Sequence, residues 1–298
     1  MSGVDLESEA YEAHREAGRI LATVREETVD RLVVGASHLE LAEFAEGRIR
    51  ELGGQPAFPM NISVDAEAAH GTPAKDEDAT FGEELVNIDI GVHVDGWIAD
   101  SATTVDLRGE HGDLVAASEE ALKAAIDVVE PGVRTGELGA AIEDAVTDRG
   151  FNPVLNLSGH GLGHWEQHTS PNIPNRGIEG GAELEVGDVV AIEPFATDGS
   201  GKVHDGSVQQ IYALQEERQV RNRAARAILD QITEEYRTLP FAVRWLDHPR
   251  AEMALRRLEM QDVVTGYPIL QEDDGCHVTQ AEHTVIVTED GCEVTTRA

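Results

Sequence analysis

A mixed α+β fold is the architecture this sequence predicts, and three observations lead to it. Apolar residues recur at helical spacing through the first fifty residues and again between 113 and 149. Two stretches rich in Val, Ile and Thr, Leu85–Val94 and 97–107, flank an Asp95-Gly96 pair, a strong signal for a tight antiparallel hairpin. A segment of different charge character, 213–264, interrupts the C-terminal half.

In chain order, Ile20, Leu21 and Val24, then Val29, Leu32 and Val33, mark the apolar face of an N-terminal helical region, 5–50. Ser37 is placed to cap a second helix carrying Leu41, Phe44 and Ile49, which Gly53-Gly54 ends. Residues 56–73 hold three prolines among small residues and read as mostly loop. After the hairpin, 113–129 and 135–149 read as helices parted by Pro131-Gly132. A stretch rich in glycine and histidine spans 158–168, a strand is expected at 189–193, and 198–206 is rich in turn residues. Within 213–264 nine basic residues balance nine acidic ones, whereas the rest of the chain carries 48 acids against 14 bases. Val220, Ala224, Ala227, Ile228, Ile232 and Tyr236 trace an amphipathic helix there, and 251–260 another, so the segment reads as a helical insertion packed on the mixed core. Strands around 279–288 and 292–295 close the chain.

Composition excludes several classes of function. No run of 18 apolar residues exists, so no membrane-spanning helix is expected. The acidic N-terminus has no apolar core of a secretory signal. Cys276 and Cys292 read as free thiols of a reducing cytoplasm. The 298 residues carry 23 Lys and Arg against 57 Asp and Glu, and a net charge of −34 repels phosphate backbones, so nucleic acid is not an expected partner. The acids are spread along the chain rather than gathered in a tail, and only Lys75, Lys123 and Lys202 are lysine. Such a surface suits a halophile's cytoplasm, where concentrated salt shrinks the Debye length to about 3 Å near 1 M.

The hairpin carries the first chemical signal. A two-residue loop sets Val94 opposite Trp97 and Gly91 opposite Asp100. Asp89 shares the face of Gly91, so Asp89 and Asp100 become diagonal neighbours with Cα atoms about 7–8 Å apart or less. Asp89 stands between Ile88 and Ile90, where an acid is costly unless it is paired or binds a cation. Two carboxylates at that diagonal can hold a pair of metals about 3.5–4 Å apart; two solvated strand acids fit the pattern equally. His160 lies in Ser158-Gly159-His160-Gly161, with His164 and His168 four and eight residues on. The glycines argue against a helical zinc site and make a polar loop histidine the plain reading. Glu193 ends the run Val189-Val190-Ala191-Ile192, and Glu282 precedes Thr284-Val285-Ile286-Val287. Two Asp, one His and two Glu make a hard ligand set that suits Mn, Fe, Co or Zn.

The order Asp89, Asp100, His160, Glu193, Glu282 resembles the dinuclear metal site of the methionine aminopeptidases. Asn87-Ile88-Asp89-Ile90-Gly91, Ile98-Ala99-Asp100-Ser101, Ser158-Gly159-His160-Gly161, Ala191-Ile192-Glu193-Pro194 and Gln280-Ala281-Glu282-His283-Thr284 carry the resemblance. The 89-residue gap between the two glutamates, with its insertion, is similar to the type 2 branch, and the chain looks archaeal. The resemblance implies a pita-bread fold: a mixed antiparallel sheet flanked by helices, one catalytic domain over 1–298 with 213–264 inserted as a helical subdomain. It implies two divalent metal ions (Co, Mn, Fe or Zn) on those five side chains, Asp89 chelating one and Asp100 bridging both. The implied reaction removes the initiator methionine from nascent proteins with a small second residue, a metal-bound hydroxide attacking the first peptide bond and Glu193 moving the proton. His70 and His168 would donate hydrogen bonds to the carbonyl oxygen, and Phe58 and Tyr267 would line the methionine pocket. A cytoplasmic monomer acting on nascent N-termini, with the ribosome as a candidate partner and no membrane, follows from the same resemblance. Two residues depart from it: Gln167 stands where relatives often have an apolar pocket residue, and His164 has no family role and reads as a surface or supporting histidine. The alternatives are an Xaa-Pro aminopeptidase or prolidase, which normally adds an N-terminal domain, and a non-catalytic pita-bread binding module, which typically loses metal ligands.

Overall fold

The computed structural model describes residues 3–297. Helix α1 (Glu9–Val29) begins where Ser8 accepts a hydrogen bond from the Tyr11 amide at 3.2 Å. Helix α2 (His38–Glu51) begins at the predicted cap, Ser37 accepting from the Glu40 amide at 3.3 Å. Residues 56–73 hold more structure than their prolines suggest: β1 (Gln55–Pro56), β2 (Asn61–Val64) and β3 (Glu67–Ala69) form there. Pro56 is tolerated because β1 is an edge strand. The hairpin β4 (Leu85–Val94) and β5 (Trp97–Asp106) has the register read from sequence, Val94 opposite Trp97 and Gly91 opposite Asp100. Asp95 and Gly96 both take positive φ, 51° and 87°, as such a turn requires. Strands β1 and β2 pair with β4 to complete a four-stranded antiparallel sheet.

Helices α3 (Gly112–Asp127) and α4 (Thr135–Asp148) follow, then β6 (Asn152–Pro153), β7 (Ser158–Gly163), β8 (Glu166–Pro174), β9 (Val189–Ile192), β10 (Phe195–Thr197) and β11 (His204–Leu214). After α5 (Arg223–Gln231), β12 (Phe241–Ala242) and α6 (Ala251–Glu259) come β13 (Val264–Gln271), β14 (Val278–Gln280), β15 (His283–Thr288) and β16 (Gly291–Val294). They build a five-stranded sheet in the order β16-β15-β9-β7-β8, a three-stranded sheet β14-β10-β6 and a four-stranded sheet β12-β11-β13-β3. His160 is therefore a strand residue and not a loop histidine. Its glycine neighbours serve close strand packing: a Cβ on Gly159 would lie 2.3 Å from the Ala191 carbonyl oxygen, and one on Gly161 2.4 Å from that of Ser170.

Separate apolar clusters hold the layers. Helices α1 and α2 bury Ile20, Leu21, Val24, Leu41 and Ile49 against Ile88, Ile90 and Val92 of β4. Helices α3 and α4 bury Leu114, Leu138 and Ile142 against Val190, Ile192 and Val285. The segment 213–264 has its own cluster, including Val220, Ile228, Ile232, Phe241, Leu255 and Leu258. It is less helical than its periodicity predicts. Helix α5 starts at Arg223, with Asn222 capping the Ala225 amide at 3.0 Å, and passes into one π-helical turn over Ile232–Tyr236.

A buried ion pair ties this segment to the rest of the chain. The Arg244 and Glu46 side chains, 4% and 5% exposed, are in direct contact. Glu46 also accepts from Trp245 Nε1 at 2.8 Å and from the Met60 amide at 3.2 Å. Arg244 reaches on to Thr72 Oγ1 at 2.7 Å and the Pro73 carbonyl at 3.1 Å, two and three residues past His70. Burial pushes the Glu46 carboxyl up and the Arg244 guanidinium down, and each opposes the shift in the other. Glu46→Ala leaves a buried guanidinium without its acid and is expected to destabilise the fold by about 3–5 kcal/mol. Urea unfolding measures this, and a loss within the range of an exposed pair, about 1 kcal/mol or less, refutes the anchoring role.

Candidate metal centre

Four sheets contribute to one cavity of about 240 Å³. Asp89 reaches it from β4 and Asp100 from β5, His160 from β7, and Glu193 and Glu282 from the breaks that follow β9 and precede β15. His70, His168, Phe58 and Tyr267 line the same cavity. All nine side chains singled out from the sequence are thus brought together. Asp100, His160 and Glu282 each offer a ligand atom within 4.8 Å of the others. His160 Nε2 lies 3.5 Å from Glu193 Oε1 and 3.9 Å from Asp100 Oδ2. Its Nδ1–H donates to the Gly161 carbonyl at 3.2 Å, which leaves the Nε2 lone pair facing the acids.

The electrostatics are those of a cation site. Burial pushes the Asp89 carboxyl up to about 7. Asp100, Glu193 and Glu282 rise well above the usual carboxylate range, first through burial and then through the repulsion of neighbouring acids. Burial lowers His160 to about 3 and His168 to about 4. Asp89 Oδ1, Asp100 Oδ1 and Glu282 Oε1 are buried and have no hydrogen-bond partner. Four acids, three of them with orphaned oxygens, around a neutral imidazole lone pair fit divalent cations, which would let them ionise together.

Polar side chains aim the acids. Gln280 Nε2 donates to Glu193 Oε2 at 3.3 Å and Glu282 Oε2 at 3.4 Å, and Asn87 Nδ2 holds the Gln280 oxygen at 2.6 Å. The Asp100 amide donates to Thr284 Oγ1 at 2.8 Å, and that hydroxyl donates back to the Asp100 carbonyl at 2.9 Å. Sequence reading missed these supports, although Asn87, Gln280 and Thr284 lie inside the quoted motifs. It also missed Gly91. A Cβ there would stand 2.1 Å from the Phe58 ring, so glycine makes room for the aromatic wall.

Three more of these residues find partners in the fold. Gln167 is buried in the cavity wall, and its amide donates to Asp100 Oδ2. His164 braces the hairpin tip, its Nε2–H donating to the Asp95 carbonyl at 2.8 Å and its ring stacked on Trp97 at 4.4 Å. His70 donates from Nδ1 to the Pro268 carbonyl at 3.2 Å, and burial lowers its pKa. A neutral imidazole so held has Nε2 as an acceptor.

Residues 12–289 match the profile of metallopeptidase family M24, and the chain belongs to that family. Within it, the chain is 47% identical over 293 residues to a methionine aminopeptidase of Archaeoglobus fulgidus, covering 98% of this chain and all of that protein. Among solved structures, a methionine aminopeptidase from Thermotoga maritima shares the fold with a TM-score of 0.73 at 24% identity, covering 99% of this chain and 100% of that one. A thermophilic Arx1 superposes with a TM-score of 0.86 at 18% identity, covering 99% and 92%. The pita-bread arrangement expected from the motifs is the fold observed. No helix among the described residues is long and apolar enough to cross a membrane.

The raised acids set a pH dependence for the metal-free protein. A carboxyl whose folded pKa exceeds its unfolded value stabilises the fold at low pH and loses that contribution as pH rises through the folded pKa. For Asp89 the window runs from the ordinary 3.8 up to about 7. In chelator and about 2 M KCl, which screens the surface, the melting temperature of wild type relative to Asp89→Asn is expected to fall across that window. Divalent cation should restore more stability at the upper end than at the lower. A difference between the two proteins that does not vary with pH refutes the assignment.

Proposed function

We propose that this chain is a metalloaminopeptidase that removes the N-terminal methionine of newly made proteins whose second residue is small. The observation that carries this reading is the convergence of two aspartates, two glutamates and His160 with His70, His168 and an apolar wall on one small cavity. Asp89, Asp100, His160, Glu193 and Glu282 would hold two divalent cations of the Co, Mn, Fe or Zn type. Such a pair, when bound, supplies Lewis acidity toward the scissile carbonyl and lowers the pKa of water at the site.

The chain's own groups supply the rest. Glu193 lines the cavity, its Oε1 3.5 Å from His160 Nε2, and is placed to accept a proton and return it to the departing amine. His168, neutral at pH 7, donates to the carbonyl oxygen as negative charge develops there. His70 Nε2 accepts from an N–H of the bound peptide. Phe58 and Tyr267 flank the methionine side chain, and Gln167 keeps Asp100 in place.

The finer reading is a type 2, archaeal-like enzyme of a halophile's cytoplasm, monomeric, acting on nascent chains near the ribosome. The 89-residue spacing of Glu193 and Glu282, the archaeal relative and the charge of −34 support it. Segment 213–264 forms a subdomain that shapes the substrate groove through Pro240.

Met-Ala-Ser should be cleaved and Ala-Pro spared, with chelator abolishing turnover. Preference for Ala-Pro would favour a prolidase, and binding without turnover a non-catalytic module. Glu193→Gln should keep the fold and lower kcat by about 10²–10⁴-fold. Retention of more than about a tenth of the activity at equal metal content would remove Glu193 from its role, since that loss falls below the range for general acid–base work. The surface predicts salt dependence too. Melting temperature should climb steeply between about 0.1 M and about 2 M KCl, as the Debye length falls from about 10 Å to about 3 Å or less. A flat profile contradicts the halophile reading.

A further inference from the structure

At the ends of β10 and β14 opposite Glu193 and Gln280, His111, Asp198 and His277 come together, each offering a ligand atom within 4.8 Å of the others. Their elements are distinct. His111 stands just before α3, Asp198 directly after β10, and His277 directly before β14. The two rings lie with centroids 4.0 Å apart.

Hydrogen bonding fixes how they present themselves. His277 Nδ1–H donates to Asp198 Oδ2 at 2.9 Å, while the Asp198 Oδ1 atom takes the His277 amide at 2.7 Å. The carboxylate thus sets ring orientation and tautomer, leaving the Nε2 lone pair free, as carboxylates do behind metal-binding histidines. That lone pair and the Nε2 atom of His111 point at one spot. A cationic group already occupies it: Arg108 Nη1 lies 3.3 Å from His277 Nε2 and 3.4 Å from His111 Nε2. Arg108 has other partners to fall back on, its Nε donating to the Glu83 carbonyl at 3.0 Å and its Nη2 lying 3.5 Å from Asp65 Oδ2. Asp106 accepts from the amides of Arg108, Gly109 and His111 and offsets the positive end of α3. The His277 side chain is 16% exposed and that of Asp198 38%, so solvent and ions reach the cluster.

We propose that His111 and His277, with Asp198 as buttress or third ligand, form a second, peripheral site for a divalent transition cation of the zinc class, gated by the Arg108 guanidinium. Two imidazoles and a carboxylate are a borderline set that favours zinc, cobalt, nickel or copper over magnesium or calcium. The ion would clamp the start of α3 to the outer ends of β10 and β14. Glu193 and Gln280 lie at the opposite, inner ends of those strands, so the ion would touch neither substrate nor the cavity acids.

The test counts zinc. Wild type, His277→Ala, His111→Ala and Arg108→Ala are loaded with excess zinc, freed of unbound metal by gel filtration, and analysed for metal per chain. The two histidine variants should carry one equivalent less than wild type at unchanged aminopeptidase activity per chain. Arg108→Ala should keep that equivalent and bind it several-fold more tightly in a competition titration, because the competing cation is gone. Equal zinc content in wild type and both histidine variants overturns the proposal. Should the histidine variants fail to fold, Arg108→Ala alone decides: unchanged or weaker zinc affinity overturns it as well.

Discussion

Four carboxyl groups face one another in a single cavity, and the rest of the molecule is arranged so that they can. Each of Asp100, Glu193 and Glu282 has its proton held by burial and by the charge of the others. Nothing in the described protein neutralises them. Gln280, Asn87 and Thr284 orient the acids with uncharged donors, and the positively charged Arg25 makes only a minor contribution at Glu282. A site that withheld its counter-charge in this way would be unstable on its own. It persists because sheets and helices with separate apolar cores fix its walls, and because divalent cations can complete it.

Much of this is legible in the chain alone. Period-two alternation and a two-residue turn determine which hairpin residues face each other, so the Asp89–Asp100 diagonal followed from counting. Capping chemistry located Ser37 for the same reason: the signal is local and the physics short-ranged. His160 shows the limit. Its glycines suggest a loop when only the chain is in view, yet they exist because Ala191 and Ser170 approach from neighbouring strands. Gly91 is the same case, emptied for Phe58. The donors on Asp100 and Glu193 come from residues 67 and 87 positions away, and no spacing rule reaches that far. The carbonyl that orients the His70 ring belongs to Pro268, 198 residues away.

Segment 213–264 was legible by charge balance and periodicity, but its attachment was not. Arg244 looks like one of nine basic residues on a neutral insertion. In the fold it is nearly inaccessible, touching Glu46, Thr72 and Pro73 at once. Removing either partner leaves the other charged and dry, so the pair specifies where the insertion docks more than it stabilises the docked state. The same contacts bear on the turn that carries His70, whose φ of 66° is unusual for a side chain of that size. The docking of the insertion and the placement of a cavity histidine are thereby one constraint.

Carboxylates therefore do three jobs in this chain, and the group opposite each one decides which. On the surface, acids face water and salt, and their excess over bases is tolerable only as far as ions screen it. At Glu46 the opposite group is a guanidinium, which opposes the upward push of burial on the acid. In the cavity the opposite groups are other acids, and only a mobile cation can balance them. A residue count of 57 acids cannot separate these roles. What does is the company each acid keeps in the fold: Asp89 and Glu193 line one cavity with Asp100 and Glu282, and the nearest charged side chains to each are other acids.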